Sequence, residues 1–128
     1  MAIQIFGTAK NFDTKKAQRW FSERRIPVQF VDLKEKEMSP GELDSVITGL
    51  LNLKNNDGTP LATSRAAAVT LLIDATSKEY SAIAYLDDND KAQKLLENPQ
   101  LMKQPVVRNG KFAATVGYCP EIWEAWNS

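Results

Sequence analysis

The sequence contains no histidine and a single cysteine, Cys119. Without a second cysteine, the chain cannot form an intramolecular disulfide, a Cys-x-x-Cys redox pair or a cysteine-rich zinc site. Without histidine, it lacks the commonest general base near neutral pH and the imidazole of Ser-His and Cys-His nucleophile pairs. Few classes of enzyme remain open, and we expect no resident metal ion.

The sequence also lacks net charge and long apolar runs. Sixteen basic residues balance 16 acidic ones, so no overall field attracts nucleic acid or acidic lipid, and we expect no direct nucleic-acid binding. No apolar run approaches the roughly 20 residues of a membrane span, and no secretory signal pattern is present. We expect one cytoplasmic domain over residues 1–128 without membrane association.

The first third of the chain predicts a strand, a helix and a second strand. Apolar runs mark strands at 2–6 and 28–32. An amphipathic helix over 13–25 lies between them, with Trp20 and Phe21 facing inward. A helical crossover between two strands implies that the strands pair in parallel.

The middle of the chain is predicted to be mostly helical. Ser39, followed by Pro40 and Glu42, has the pattern of a capping box that begins a helix. A cluster of turn-forming residues predicts a loop over 55–60. The apolar run 69–73 is compatible with helix or with extended chain. The predicted helices span 40–51, 62–74 and 87–97.

The end of the chain predicts a hairpin followed by a helix. Two strands, 105–107 and 112–116, flank a turn that we expect to be a two-residue loop centred on Asn109 and Gly110. Pro120 begins a final short helix. The side chains that this helix would lay on the sheet are those of Ile122, Trp123 and Trp126.

Four segments, in order, carry a resemblance to a known family. The first is the loop Thr-Ala-Lys-Asn-Phe-Asp-Thr-Lys-Lys-Ala over 8–17. The others are 32–34, 50–54 and the proline-containing run 98–107. Together they resemble the arsenate reductase (ArsC, Spx and YffB-like) family. The resemblance implies a thioredoxin-like α/β fold, with a mixed sheet of about four strands flanked by helices and a helical insertion in the middle of the chain.

The same resemblance implies a chemistry whose key groups are replaced in this chain. Members of the family attack arsenate with a cysteine thiolate at a helix N-terminus and hold the oxyanion with arginines. Phe12 stands where that cysteine would be, and Gln104 stands where an arginine precedes the cis-proline, here Pro105. Lys54 lies in the region of a second arginine, and Cys119 aligns loosely with a third. We expect no arsenate reductase activity.

The candidate site residues leave alternatives open. Phe12 either fills the space of the missing thiol or is exposed and anchors a partner or ligand. Cys119 is either a structural thiol or a site of redox modification, through an intermolecular disulfide or glutathione. A weak oxyanion or glutathione site would be formed by Asn11, Thr14, Lys15, Lys54, Gln104 and Pro105.

Two functions remain open on the sequence. The first is a catalytically inactive arsenate reductase-like protein, a pseudoenzyme that binds a protein partner or regulates it. Spx-type regulators of the family bind RNA polymerase, but they sense redox state through a Cys-x-x-Cys pair that this chain lacks. The alternative is a thiol- or glutathione-dependent enzyme in which the ligand supplies the sulfur, with no other cofactor expected.

Overall fold

The computed structural model describes residues 3–55, 57–111 and 113–127. Predictions that concern residues 2, 56 and 112 lie outside these ranges. The described part contains four strands and five α-helices, whose bounds are as follows: β1 (Ile3–Gly7), α1 (Phe12–Glu23), β2 (Val28–Asp32), α2 (Pro40–Asn52), α3 (Arg65–Leu72), α4 (Asp88–Glu97), β3 (Val106–Asn109), β4 (Ala113–Val116) and α5 (Pro120–Trp126).

The strands form one mixed sheet in the order β2-β1-β3-β4. β1 pairs with β2 in parallel, as the helical crossover predicted, with Ile3 opposite Val28. β3 runs antiparallel to both β1 and β4. Helices α2, α3 and α4 lie between β2 and β3 in the chain, so the predicted thioredoxin-like sheet with a helical insertion is confirmed.

Alternating side chains of the strands enter two cores, one on each face of the sheet. In β1, Ile3 and Ile5 point to one face while Phe6 points to the other. The α1-side core contains Trp20, Phe21 and Trp123 beside those isoleucines. The α2-side core is larger and holds the apolar faces of α2, α3 and α4.

At α2 and α4, the cap residues predicted from the sequence begin the helices. Ser39 and Glu42 form both hydrogen bonds of the capping box at α2, and Pro40 is the first helical residue. Asp87 caps α4 by accepting a hydrogen bond from the backbone N–H of Asp90 at 2.9 Å. These side-chain acceptors satisfy backbone N–H groups that have no partner inside the helix.

Three sequence predictions require correction. Helix α1 spans Phe12–Glu23 rather than 13–25, because Asn11 and not Asp13 or Thr14 caps its start, and the backbone leaves the helix before Arg25, whose φ is 57°. Helix α3 spans Arg65–Leu72 rather than 62–74, because Ser64 caps its start and Ile73 leaves the helix to pair with Met102. The predicted two-residue hairpin loop is also wrong. Asn109 pairs with Ala113 of β4, so three positions separate the paired residues. Asn109 also pairs with Ile3 of β1. Pairing with β1 extends β3 through Asn109 and takes it out of the turn.

A helix that spans a bilayer must be both long and apolar. None of the helices within residues 3–55, 57–111 and 113–127 meets both requirements.

Candidate functional site

The candidate site lies at the carboxyl end of β1, where the chain turns into α1. Residues 8–11 form this β1–α1 loop, which is tightened by a hydrogen bond from the Asn11 backbone N–H to the Thr8 carbonyl at 3.1 Å. The Leu33 N–H donates to the Gly7 carbonyl at 2.9 Å, so the chain leaving β2 passes beside the loop. The ends of two parallel strands therefore meet at one edge of the sheet.

Asn11 and Thr14 fix the first turn of α1. Asn11 has extended backbone and is the N-cap residue. Its Oδ1 accepts hydrogen bonds from the Thr14 backbone N–H at 2.9 Å and from the Thr14 hydroxyl at 3.1 Å. The Thr14 side chain is fully buried, so the cap is partly shielded from water. The structure thus brings these two predicted site residues into direct contact.

Gln104 reaches the loop from the other end of the sequence. Its Oε1 accepts hydrogen bonds from the Thr8 backbone N–H at 2.6 Å and from the Thr8 hydroxyl at 3.1 Å. The Thr14 hydroxyl lies 3.4 Å from the same oxygen. The Gln104–Pro105 peptide bond is cis, as the resemblance implied. Gln104 therefore joins β3 to the loop and to α1.

Phe12 is the first residue of α1 and its side chain is 72% exposed. It does not fill a buried space left by a missing thiol, so the exposed alternative describes it. The Lys16 ammonium lies 5.6 Å from the centre of the Phe12 ring and 4.3 Å from the centre of the Tyr118 ring. At these distances a cation is attracted to the faces of aromatic rings.

The remaining predicted cations lie apart from these contacts. Lys15 is exposed on α1, three residues after Phe12. Lys54 is exposed in the segment after α2, where its backbone pairs with Pro60. Within residues 3–55, 57–111 and 113–127, neither ammonium group forms an ion pair. Neither lysine replaces an oxyanion-binding arginine through a contact with the loop.

Cys119 is a partly buried thiol at the start of α5. Its S–H donates to the Val116 carbonyl at 3.4 Å. Burial raises the pKa of the thiol, the Glu121 carboxylate raises it further, and Lys103 partly opposes both effects. This direction is opposite to the lowering that a helix N-terminus alone would produce. The thiol is held in its protonated, weakly nucleophilic form.

A cleft borders the loop on the side of β2. Its volume is about 550 Å³. Its lining includes Thr8 and Gln104, and also the segment after β2, with alternating lysines and glutamates over residues 34–37. Asn98, Pro99 and Gln100 also belong to the lining. The cleft is large enough for a small peptide and has cations and anions in equal number on one side.

Sequence reasoning missed the two contacts that organise this site. Thr8 was part of the family-like loop but received no role, although a hydroxyl beside a backbone donor is suited to hold an acceptor. Tyr118 was not recognised either, and it shares Lys16 with Phe12. No local pattern signals these contacts, because each joins segments far apart in sequence.

Solved structures with similar architecture were found, whereas no protein-family model and no curated protein matches the sequence. An ArsC family related protein from Bacteroides fragilis superposes with a TM-score of 0.73 at 21% identity, covering 98% of both chains. An arsenate reductase from Vibrio cholerae has a TM-score of 0.72 at 18% identity and covers 95% of this chain and 94% of its own. A protein named YffB has a TM-score of 0.69 at 17% identity, covering 96% of both chains.

These similarities extend over nearly the whole of each chain, so they include the sheet, both cores and the helical insertion. At such low identity they establish the shared fold and not a shared activity. The resemblance seen in four sequence segments is therefore confirmed for the architecture. The chain has the thioredoxin-like α/β fold of arsenate reductase and ArsC-family structures.

Proposed function

We propose that this chain is a catalytically inactive, cytoplasmic arsenate reductase-like protein that serves as a binding or regulatory module. The observation that carries the proposal is Phe12, the first residue of α1, with 72% of its side chain exposed. The resemblance assigns this position to the nucleophilic cysteine. A phenyl ring cannot form the sulfur–arsenic bond on which arsenate reduction of this kind depends.

The other replaced groups support the same conclusion. Gln104 presents an acceptor oxygen to the loop, whereas an arginine would present only donors to an oxyanion. The lone thiol, Cys119, has a raised pKa and donates to a backbone carbonyl. An oxyanion that bound here would also not be turned over, since no thiolate is present to form the covalent bond to arsenic.

The surface around Phe12 has the chemistry of a protein contact. We call it the Phe12 surface and define it by Phe12, Lys15, Lys16, Arg19 and Tyr118. Its centre is an exposed aromatic ring, and its cations lie on successive turns of α1. Aromatic and arginine side chains are enriched among residues that dominate protein interfaces. This surface is the proposed contact with a protein partner.

The catalytic half of the proposal is tested by a thiol-coupled arsenate reduction assay. The wild-type protein is expected to give no turnover, and mass spectrometry after arsenate exposure is expected to show no arsenic adduct. The variant Phe12→Cys combined with Gln104→Arg restores the thiol and the arginine before the cis-proline, and is expected to show activity above the wild type. Turnover by the wild type would overturn the proposal.

The binding half is tested by partner capture with three variants. Phe12→Ala and Lys15→Glu are expected to lose the partner that wild type retains, because they remove the aromatic anchor and reverse a charge. Tyr85→Ala is the matched control, since Tyr85 is also an exposed aromatic, at 82%, but lies outside the Phe12 surface. Equal loss with all three variants, or with none, would contradict a contact through this surface.

The cleft beside Thr8 and Gln104 favours the second candidate, a thiol- or glutathione-dependent activity. Its volume of about 550 Å³ suits a tripeptide, and its wall of lysines and glutamates offers partners for both the amino and carboxyl groups of glutathione. In this candidate the ligand supplies the sulfur. Titration with glutathione followed by NMR should shift amide signals of the cleft residues, and unchanged signals would remove this candidate.

A further inference from the structure

One side-chain oxygen accepts from both donors of Thr8, the first residue of the β1–α1 loop. The Oε1 of Gln104 lies 2.6 Å from the Thr8 backbone N, 3.1 Å from the Thr8 Oγ1 and 3.4 Å from the Thr14 Oγ1. A backbone N–H can only donate, so the side-chain atom that faces it is the carbonyl oxygen of the carboxamide. The Thr14 hydroxyl has a single hydrogen, which the shorter contact to Asn11 Oδ1 at 3.1 Å takes, so both donors of Thr8 converge on one neutral acceptor.

We propose that Gln104 is an intramolecular ligand of the loop, whose amide oxygen occupies the donors that an oxyanion would use and thereby closes the loop against anions. This autoinhibitory contact goes beyond the proposed function, because an inactive protein could equally have kept an open anion site. It also replaces the weak oxyanion site expected from the sequence by a filled one.

The surroundings of the carboxamide are shaped to hold it. Thr14 is fully buried, and Thr8 and Gln104 are half-buried. Gly7 leaves room at this point, since a Cβ on Gly7 would lie 3.2 Å from the Gln104 Oε1. Displacing the carboxamide would leave the N–H and the hydroxyl of Thr8 to be satisfied by the incoming group. Buried donors without partners are costly.

The two lysines near the start of α1 do not offset that cost. The Lys15 ammonium makes no ion pair or hydrogen bond within the described residues and is exposed to solvent. The Lys16 ammonium lies over the Phe12 and Tyr118 rings. An anion at Thr8 would therefore exchange the hydrogen bonds of Gln104 for similar ones and lose part of its hydration, with neither of these two lysines in place as a partner.

Comparing three different side chains at position 104 distinguishes a loop closed by Gln104 from an open one. Gln104→Met keeps the length of the side chain but has no oxygen acceptor. Gln104→Glu keeps the acceptor and adds a negative charge that repels anions. The wild type and both variants are titrated with sulfate and with phosphate, using chloride at matched ionic strength as the reference. The Thr8 amide signal in NMR and the melting temperature are followed.

The wild type and Gln104→Glu are expected to show no saturable change in the Thr8 signal. Gln104→Met is expected to show a saturable shift of that signal and a melting temperature that rises with sulfate or phosphate above the chloride reference. A saturable Thr8 shift in the wild type would overturn the proposal. The absence of any response in folded Gln104→Met would overturn it as well.

A measurement on the wild type alone covers the case in which Gln104→Met does not fold. The Thr8 amide is expected to be protected from hydrogen exchange in chloride buffer, because Gln104 satisfies it. Exchange at the rate of an unprotected loop amide would overturn the proposal. The two proposals fail separately: arsenate turnover by wild type refutes inactivity, whereas anion binding by wild type refutes only the closed loop.

Discussion

Gly7 and Thr14 are in contact where β1 ends and the first turn of α1 begins: a Cβ on Gly7 would lie 2.8 Å from the Thr14 Cγ2. Real Cβ atoms do not approach a side chain so closely, and Thr14 is fully buried and cannot move into solvent. The absence of a side chain at position 7 therefore allows the strand and the helix to meet at the candidate site.

Gly7→Ala is expected to destabilise the protein by about 1–3 kcal/mol, because the added methyl group overpacks this junction. Gly41→Ala is the matched control, since a Cβ at Gly41 meets nothing within 4 Å and the position lies in α2. It should be neutral or stabilising by up to about 1 kcal/mol. Denaturant unfolding measures both, and equal effects would contradict the contact.

Thr115→Val is expected to destabilise the α1-side core. The indole N–H of Trp123 donates to the Thr115 hydroxyl at 2.8 Å, and both side chains are fully buried. Valine has the same shape but accepts no hydrogen bond, so the buried N–H would lose its partner, at a cost of about 1–3 kcal/mol. The control is Thr70→Val at an exposed threonine. A Thr115→Val variant as stable as this control would refute the prediction.

Asn11→Ala is expected to lower stability by about 0.5–2 kcal/mol, since it removes the acceptor that caps α1. Asn11→Asp keeps a side-chain oxygen at the cap and places a negative charge at the positive end of the helix dipole. It should retain most of the wild-type stability near neutral pH. Thermal or denaturant unfolding distinguishes the two variants, and the same loss in both would show that the cap is not responsible.

The Cys119 thiol is expected to react slowly with alkylating reagents at neutral pH. Burial raises its pKa, so the reactive thiolate forms at higher pH in the folded protein than in the unfolded chain. The pH profile of alkylation should shift to lower pH in denaturant. As Cys119 is the only cysteine, the modification is unambiguous. A folded-state profile at or below the unfolded one would contradict this prediction.

The same raised pKa gives the direction of a stability change with pH. The folded state holds the Cys119 proton more tightly than the unfolded state, so its contribution is fully present below the unfolded pKa. It is lost as pH rises through the folded pKa. Cys119→Ala should remove this alkaline loss, which unfolding measurements above the ordinary thiol pKa of about 8.5 would detect.

Phe12→Cys is expected to create a thiol more reactive than Cys119. Position 12 begins a 12-residue helix and is exposed, and helix N-termini lower the pKa of thiols by stabilising the thiolate. Brief alkylation at neutral pH followed by peptide mass spectrometry compares both thiols within one molecule. Faster labelling at Cys119 would show that the start of α1 does not stabilise a thiolate.

Local chemistry made part of the fold predictable. The capping box of Ser39 and Glu42 and the acidic cap at Asp87 act within four residues, so the sequence placed the starts of α2 and α4 correctly. β2 spans Val28–Asp32 as predicted, because its pattern is apolar and its neighbours are turns. The buried positions of Trp20 and Phe21 followed from helical periodicity.

The features that the sequence did not reveal depend on distant neighbours. The hairpin register was wrong because Ile3 of β1 pairs with Asn109, a contact invisible in the turn motif itself. The polar residues on either side of Phe12 did not predict whether its side chain would point into the protein or into solvent. Sequence placed Gln104 beside the candidate site, but only the structure shows that its amide oxygen accepts from Thr8.

The hydrogen bond between Thr8 and Gln104 joins residues 96 positions apart. A growing chain that ends before Gln104 therefore lacks the acceptor for the Thr8 amide, even when β1, α1 and β2 have all been synthesised. The hydrogen bond from Thr8 to Gln104 can form only when β3 docks beside β1, so the folding of the β1–α1 loop depends on the last quarter of the polypeptide.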